Sequence, residues 1–144
     1  MSLPSRRFRC LVIDDDPHVL ALLRAYLEHD LGDLLAIESV SEARRARTMV
    51  ADGCWDIVLL DIEIPGARDL EFLRLAREAN PWCRVLVVTA HSTWDRIAEA
   101  IESGAADYLT KPVVRAELSG VVRGECDRLA RWSRRLVGHA SALP

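Results

Sequence analysis

Hydrophobic positions along the chain fall into two alternating kinds of run. Short apolar stretches recur: "CLVI" from Cys10, "LLAIES" from Leu34, "DIVLLD" from Asp56, "RVLVVTA" from Arg84 and "DYLT" from Asp107. Each has strand length. The third and fourth are unbroken and rich in Val, Leu and Ile, as parallel strands covered on both faces are. Between them the apolar spacing lengthens to that of helices. Pro17 to Asp30 sets Val19, Leu20, Leu22, Leu23 and Leu27 on one side. Ser41 to Ala51 follows, with Ser41 as its expected N-cap. Arg68 to Ala79 carries Leu70, Phe72, Leu73 and Ala76 and stops at Asn80-Pro81. Thr93 to Ser103 ends at Gly104, and a last helix starts near Val113 and reaches about Leu136. The tail "GHASALP" is expected to fray.

Strands alternating with such helices make βαβ units, hence a parallel sheet in an α/β fold. The repeat reads as (βα)5, a doubly wound five-stranded sheet. In open sheets of this class, ligands gather beyond the carboxyl ends of the strands. The first strand runs into Asp14, Asp15 and Asp16, and the third into Asp61. The fourth runs into Thr89 and the fifth into Lys111-Pro112. Carboxylates, a hydroxyl and an amine are thus expected at one end of one sheet.

Composition narrows the function classes. Half the residues are hydrophobic, 28% are charged and the net charge is -3, which does not suggest nucleic-acid binding by the whole chain. The C-terminal part is locally basic, with Arg115, Arg123, Arg128, Arg131, Arg134 and Arg135, and reads first as a solvated helix face. Cys10, Cys54, Cys83 and Cys126 have no metal-ligand spacing and read as buried or half-buried thiols of a reducing compartment. No apolar run has the length of a membrane span, and the start carries no secretory h-region. The expected location is cytoplasmic.

Adjacent carboxylates raise one another's pKa unless a hard divalent cation joins them. Mg2+ takes one or two carboxylates together with waters and phosphate oxygens. A lysine adds a mobile charge and a threonine adds a donor. A carboxylate nucleophile, Mg2+, ammonium and hydroxyl are the parts needed to accept a phosphoryl group. Taken singly, each residue is as well explained as a turn, cap or strand residue.

Four segments, "VIDDDP", "DIVLLDIEIPG", "VLVVTAHS" and "GAADYLTKPV", together resemble the receiver domains of bacterial response regulators, the CheY-like fold. The resemblance covers about residues 9–131, leaving 1–8 as a tail and 132–144 as an extension or linker. It implies a flavodoxin-like sheet of order 2-1-3-4-5. It implies Asp61 as phosphoacceptor, and Asp15, Asp61 and the main-chain carbonyl of Glu63 as Mg2+ ligands, with Asp14 acting through a metal-bound water. Lys111 and Thr89 would contact the phosphoryl group. Tyr108 would switch rotamer with Thr89, and the Lys111-Pro112 bond would be cis. The implied donor is a histidine kinase or phosphotransfer protein. The implied output partner, or a second copy of the chain, uses the face of the fourth helix, fifth strand and fifth helix. The domain itself would contact neither nucleic acid nor membrane. It would be no enzyme beyond its own phosphorylation and slow dephosphorylation.

The chain departs from the family pattern after "PG", where an Asp-Gly turn is usual and "ARDL" stands instead. Arg68 and Asp69 are expected to cap the third helix. Glu63 and His91, each two residues beyond a site residue, are expected to tune the lifetime of the phosphoryl group. Trp94 is expected half-buried near the site. In the last helix Leu118, Val121, Val122 and Cys126 would face the sheet. Leu129, Trp132 and Leu136 would project beyond it as a dimer contact or a link to an output domain. Two alternatives stay open: an interaction module of the same fold without phosphotransfer, and an Mg2+ phosphohydrolase with Asp14 as nucleophile and a D-x-D at Asp14 and Asp16. No glycine-rich turn follows the first strand, which excludes a dinucleotide site.

Asp16 precedes Pro17 and so reads as an N-cap with proline at the first helical position. The three aspartates then divide into two metal-site residues and one helix starter. Isothermal titration with Mg2+ checks this division. Asp16→Asn, which keeps a capping side chain, leaves the affinity unchanged, whereas Asp15→Asn abolishes it. Equal losses in both variants would refute the division.

Overall fold

A computed structural model describes residues 7–68, 70–90 and 93–142, with side chains to Arg135. Five strands, β1 (Phe8–Ile13), β2 (Leu35–Val40), β3 (Ile57–Leu60), β4 (Arg84–Thr89) and β5 (Asp107–Thr110), form one parallel sheet of order β2-β1-β3-β4-β5. Five helices alternate with them: α1 (Pro17–Leu31), α2 (Ala43–Ala51), α3 (Glu71–Ala79), α4 (Trp94–Glu102) and α5 (Arg115–Ala142). The order reverses direction at β1, between β2 and β3. This is the doubly wound, flavodoxin-like arrangement.

Side chains alternate along each central strand and split the core in two. Leu11, Ile13, Val58, Leu60, Val85 and Val87 meet Ala46, Phe72, Leu73 and Ala100 of α2, α3 and α4. Cys10, Val12, Ile57, Leu59, Leu86 and Val88 meet Leu23, Leu27, Leu118 and Val122 of α1 and α5 on the other face. That is why β3 and β4 read as unbroken apolar runs: both parities are buried.

Local chemistry sets most helix ends. The Asp16 side chain accepts from His18 N at 2.9 Å, with proline at the start of α1. Thr93 caps α4 by accepting from Arg96 N at 3.4 Å. Gly104, at φ 101°, closes α4, with Gly104 N donating to Ile101 O and Ala105 N to Ala100 O. That is the Schellman pattern.

Other expectations need correction. α2 begins at Ala43 after Glu42, not at Ser41, and no side chain caps it. α5 starts at Arg115 and continues to Ala142, past both Leu136 and most of the segment expected to fray. Leu129 does not project; it is buried with the α1–α5 core. Trp132 is half-exposed and touches Trp82, and the Leu136 side chain lies outside the described residues. Trp94 is 85% exposed, because the first residue of α4 points away from the core that Ala100 joins. Cys54 is exposed, while Cys10, Cys83 and Cys126 are buried. Burial raises the Cys83 thiol to about 12 and the Cys126 thiol to about 11.

The third helix also starts later than expected. α3 begins at Glu71, no side chain among the described residues caps it, and Asp69 lies outside them. Glu71 reaches back instead, accepting from Arg68 N at 3.1 Å and pairing with Arg47 of α2. Leu70 occupies the left-handed region, φ 56° and ψ 17°, the one non-glycine there among the described residues. A glycine would take this conformation without strain. Leucine holds it because its side chain is 3% exposed in the α2–α3 core.

Thermal unfolding of variants at this position separates backbone strain from packing. Both Leu70→Gly and Leu70→Ala lose the buried side chain, by about 2–5 kcal/mol for truncation to alanine. Only alanine keeps the left-handed penalty, so the glycine variant is the more stable of the two by about 1 kcal/mol. The reverse order would show that the Leu70 backbone is unstrained.

Candidate functional site

The site follows from register. Ile13 pairs with Leu60 across β1 and β3, so the next residues, Asp14 and Asp61, leave the sheet side by side. The backbone stays tied at this exit, with Asp61 N donating to Ile13 O at 2.9 Å and Asp14 N to Val40 O at 3.3 Å. Both carboxylates continue the parity of Val12 and Leu59, toward the α1–α5 side. Lys111 continues the parity of Leu109 and comes to the same side. It is aimed by the Thr89–Thr110 pairing and by Lys111 N donating to Thr89 O at 2.9 Å. The Lys111-Pro112 peptide is cis.

Lys111 Nζ donates to Asp14 Oδ2 at 2.6 Å and to Asp61 Oδ2 at 2.9 Å. The other oxygens are held by main chain: Asp16 N donates to Asp14 Oδ1, and Glu63 N to Asp61 Oδ1, each at 2.9 Å. Asp14 is 1% and Asp61 7% exposed, whereas Asp15 is exposed. One oxygen from each of Asp14, Asp15 and Asp61 lies within 4.8 Å of the others, the one such cluster among the described residues.

Burial raises the Asp14 pKa above the ordinary carboxylate value, and the Asp61 charge adds to the rise. The hydrogen bonds from Lys111 and Asp16 N oppose it without cancelling it. Burial alone would depress Lys111, but its two carboxylate partners outweigh that and hold its pKa up. Three carboxylates face one ammonium, which leaves an excess of two negative charges when all are ionised. An all-oxygen donor set with that excess fits a hard divalent cation.

Thr89 ends β4 and is buried, on the parity of Val85 and Val87, at the same end of the sheet as the carboxylates and on its other face. Tyr108 on β5 is half-buried against the same core. Burial raises its phenol pKa, an effect the Arg96 charge counters. Glu63 lies just past Asp61, and Arg96 Nη2 donates to its Oε1 at 3.1 Å. His91 lies outside the described residues. The structure thus brings together Asp14, Asp15, Asp61 and Lys111 and sets Thr89, Tyr108 and Glu63 around them.

Arg96 escaped the sequence reading. The first turn of α4 offers several polar residues, and nothing local picks out the one that crosses to Glu63. Glu125 escaped for the opposite reason. It falls in the apolar stripe of α5 and is buried there, accepting from Arg84 Nε at 2.7 Å and Arg128 Nη1 at 3.0 Å. Arg115, part of the basic helix face, pairs with Asp30 of α1 at 2.6 Å rather than facing solvent alone.

Known proteins share this arrangement. The family model "Response regulator receiver domain" matches residues 10–123. The alginate biosynthesis transcriptional regulatory protein AlgB of Pseudomonas putida is 38% identical over 72% of this chain and 22% of its own length. The transcriptional regulatory protein TcrA of Mycobacterium tuberculosis is 37% identical over 80% of this chain and 44% of its length. The chain therefore spans about a fifth to under a half of these relatives. The signal receiver domain of a putative Luxo repressor protein from Vibrio parahaemolyticus superposes with a TM-score of 0.80 at 23% identity, covering 91% of this chain and 98% of that one. A CheY-like receiver domain protein from Methanospirillum hungatei superposes at 0.79 and 22% identity, over 88% and 98%. With one family model covering the strand exits and the helices between them, this chain belongs to the response regulator receiver domain family.

Proposed function

We propose that the chain is a phosphorylation-controlled switch in which Asp61 accepts a phosphoryl group from the phosphohistidine of a histidine kinase or phosphotransfer protein. The observation that carries this reading is the Lys111 ammonium shared by Asp14 and Asp61 in a half-closed acidic pocket. Asp61 and Asp15, with the Glu63 main-chain carbonyl, are the proposed Mg2+ ligands, and Asp14 acts through a metal-bound water. When bound, the cation supplies charge neutralisation for the phosphoryl oxygens.

The remaining steps rest on the chain's own groups. An Asp61 carboxylate oxygen bonds to phosphorus as the phosphorus–nitrogen bond breaks and the histidine nitrogen leaves with the electron pair. Lys111 already stands 2.9 Å from Asp61 Oδ2, within reach of an oxygen carried there. Glu63 N holds the second carboxylate oxygen and so orients the nucleophile. Thr89 donates its hydroxyl to a phosphoryl oxygen, and Tyr108 follows it into the core. Their movement carries the signal to the surface of α4, β5 and α5, where an output domain or a second copy responds. Water later cleaves the acyl phosphate, releasing inorganic phosphate and restoring the carboxylate. Glu63, steadied by Arg96, and His91 tune that last step.

Intact-mass measurement after incubation with Mg2+ and acetyl phosphate tests the assignment. The wild type gains one phosphoryl group, Asp61→Asn gains none, and Lys111→Ala gains it much more slowly. A phosphoryl adduct that survives in Asp61→Asn would move the acceptor elsewhere.

A linked prediction concerns pH. Asp14 has a folded pKa above its unfolded value. Its protonation therefore favours the fold: this stability is complete below the unfolded pKa and is lost as pH rises through the raised folded value. At neutral pH the ionised cluster is relieved by a cation. Mg2+ at about a hundred times its Kd then adds about 2.7 kcal/mol, several degrees in Tm. The increment shrinks as pH falls through the raised Asp14 pKa, earlier than for an ordinary aspartate. Calorimetric scans showing the same increment down to about pH 4 would contradict this.

A further inference from the structure

β4 enters the sheet at Arg84 and leaves at Thr89, so its entry lies at the end remote from the carboxylates. There Trp82, in the turn between α3 and β4, meets Trp132 of α5. Their ring centroids are 5.7 Å apart and the planes are inclined at 53°. The two indoles are 49% and 48% exposed. A groove of about 180 Å³ runs beside the pair, lined also by Leu129, Arg77, Arg84 and Arg128.

The groove is firmly built. Arg77 Nη1 donates to Pro81 O at 2.8 Å and Cys83 O at 3.1 Å, fastening the turn that carries Trp82. Arg84 and Arg128 are anchored on the buried Glu125 carboxylate. The Arg135 guanidinium sits 5.6 Å from the Trp132 ring centre. Four arginines thus surround two open indoles, against one carboxylate that is itself buried. Exposed tryptophan ringed by arginine is the composition of a binding hot spot. Trp132, Arg128 and Glu125, on the α5 side of the groove, lie beyond residues 10–123 of the receiver match.

The charge selects an anionic ligand, and the geometry selects among anions. The indoles are tilted, so one flat base cannot stack on both, and the volume suits one side chain better than a row of bases. Glu125 fixes the guanidinium groups of Arg84 and Arg128 around one point rather than along a track spaced for phosphates. We propose that this groove docks an acidic peptide segment of a partner protein. One apolar side chain packs against the paired Trp82 and Trp132 rings and Leu129, and flanking carboxylates lie on Arg84, Arg128 and Arg135. The proposal does not depend on phosphotransfer at Asp61.

Fluorescence anisotropy on the full chain tests it, with a labelled peptide whose Leu-Phe centre is flanked by glutamates. Saturable binding is expected, weakened about tenfold by Trp132→Ala and by Arg128→Glu. Trp94→Ala, an exposed tryptophan at the other end of the sheet, serves as the control and leaves it unchanged. Raising the salt weakens the binding. The proposal is overturned by absence of saturable binding, by equal affinity for a lysine-flanked peptide, or by tighter binding of labelled oligo-dT. It is equally overturned if Trp132→Ala leaves peptide affinity intact while dissociating a dimer in sedimentation, since the groove would then be a self-interface.

Discussion

The pairing of Ile13 with Leu60 is the constraint from which the site follows. Once those residues are in register, Asp14 and Asp61 must emerge as neighbours at the rim of a buried sheet, where water cannot screen them well. Two such carboxylates are costly unless a cation lies between them. Lys111 supplies it, and it arrives there because Thr89 pairs with Thr110 and sets the exit of β5. A slip of one residue in either ladder would turn the partners to opposite faces and leave the charges unpaired. The apolar packing on both faces therefore does more than stabilise the sheet: it holds the register that holds the charges.

The same logic explains why the protein has two differently built ends. At the carboxyl ends of the strands, three carboxylates face one ammonium and negative charge is in excess. At the amino end of β4, positive charge surrounds two half-exposed indoles, and the one carboxylate is buried. α5 links the ends, beginning beside the cis peptide after β5 and passing Trp82 at the entry of β4. An acidic cluster and a basic, aromatic surface can thus share one small fold without their fields cancelling, since charges more than about 10 Å apart are largely screened at ordinary salt.

Leu70 shows how a departure from family pattern is absorbed. The turn after Gly66 needs a left-handed residue before α3, and the chain offers leucine where a glycine would be easiest. Burial of that side chain compensates for the strained backbone, and Glu71, the first residue of α3, ties back to Arg68 N. Propensity pointed to a helix running from Arg68, but the demands of the turn delayed it by one helical turn.

Much of the protein is legible from sequence because its determinants are local or periodic. Strand runs, helix stripes, the Asp16-Pro17 start and the Gly104 stop each depend on neighbours within a few positions, and so does the gathering of polar residues at strand exits. What tertiary structure alone decided involves partners far apart in the chain. Lys111 finds Asp14 across 97 residues, Arg96 finds Glu63 across 33, Arg84 finds Glu125 across 41, and Trp82 finds Trp132. Apolar periodicity states which face of an element is buried but not which charged side chain on another element will meet it. That is set by register and helix position, and those exist only once the whole core has packed.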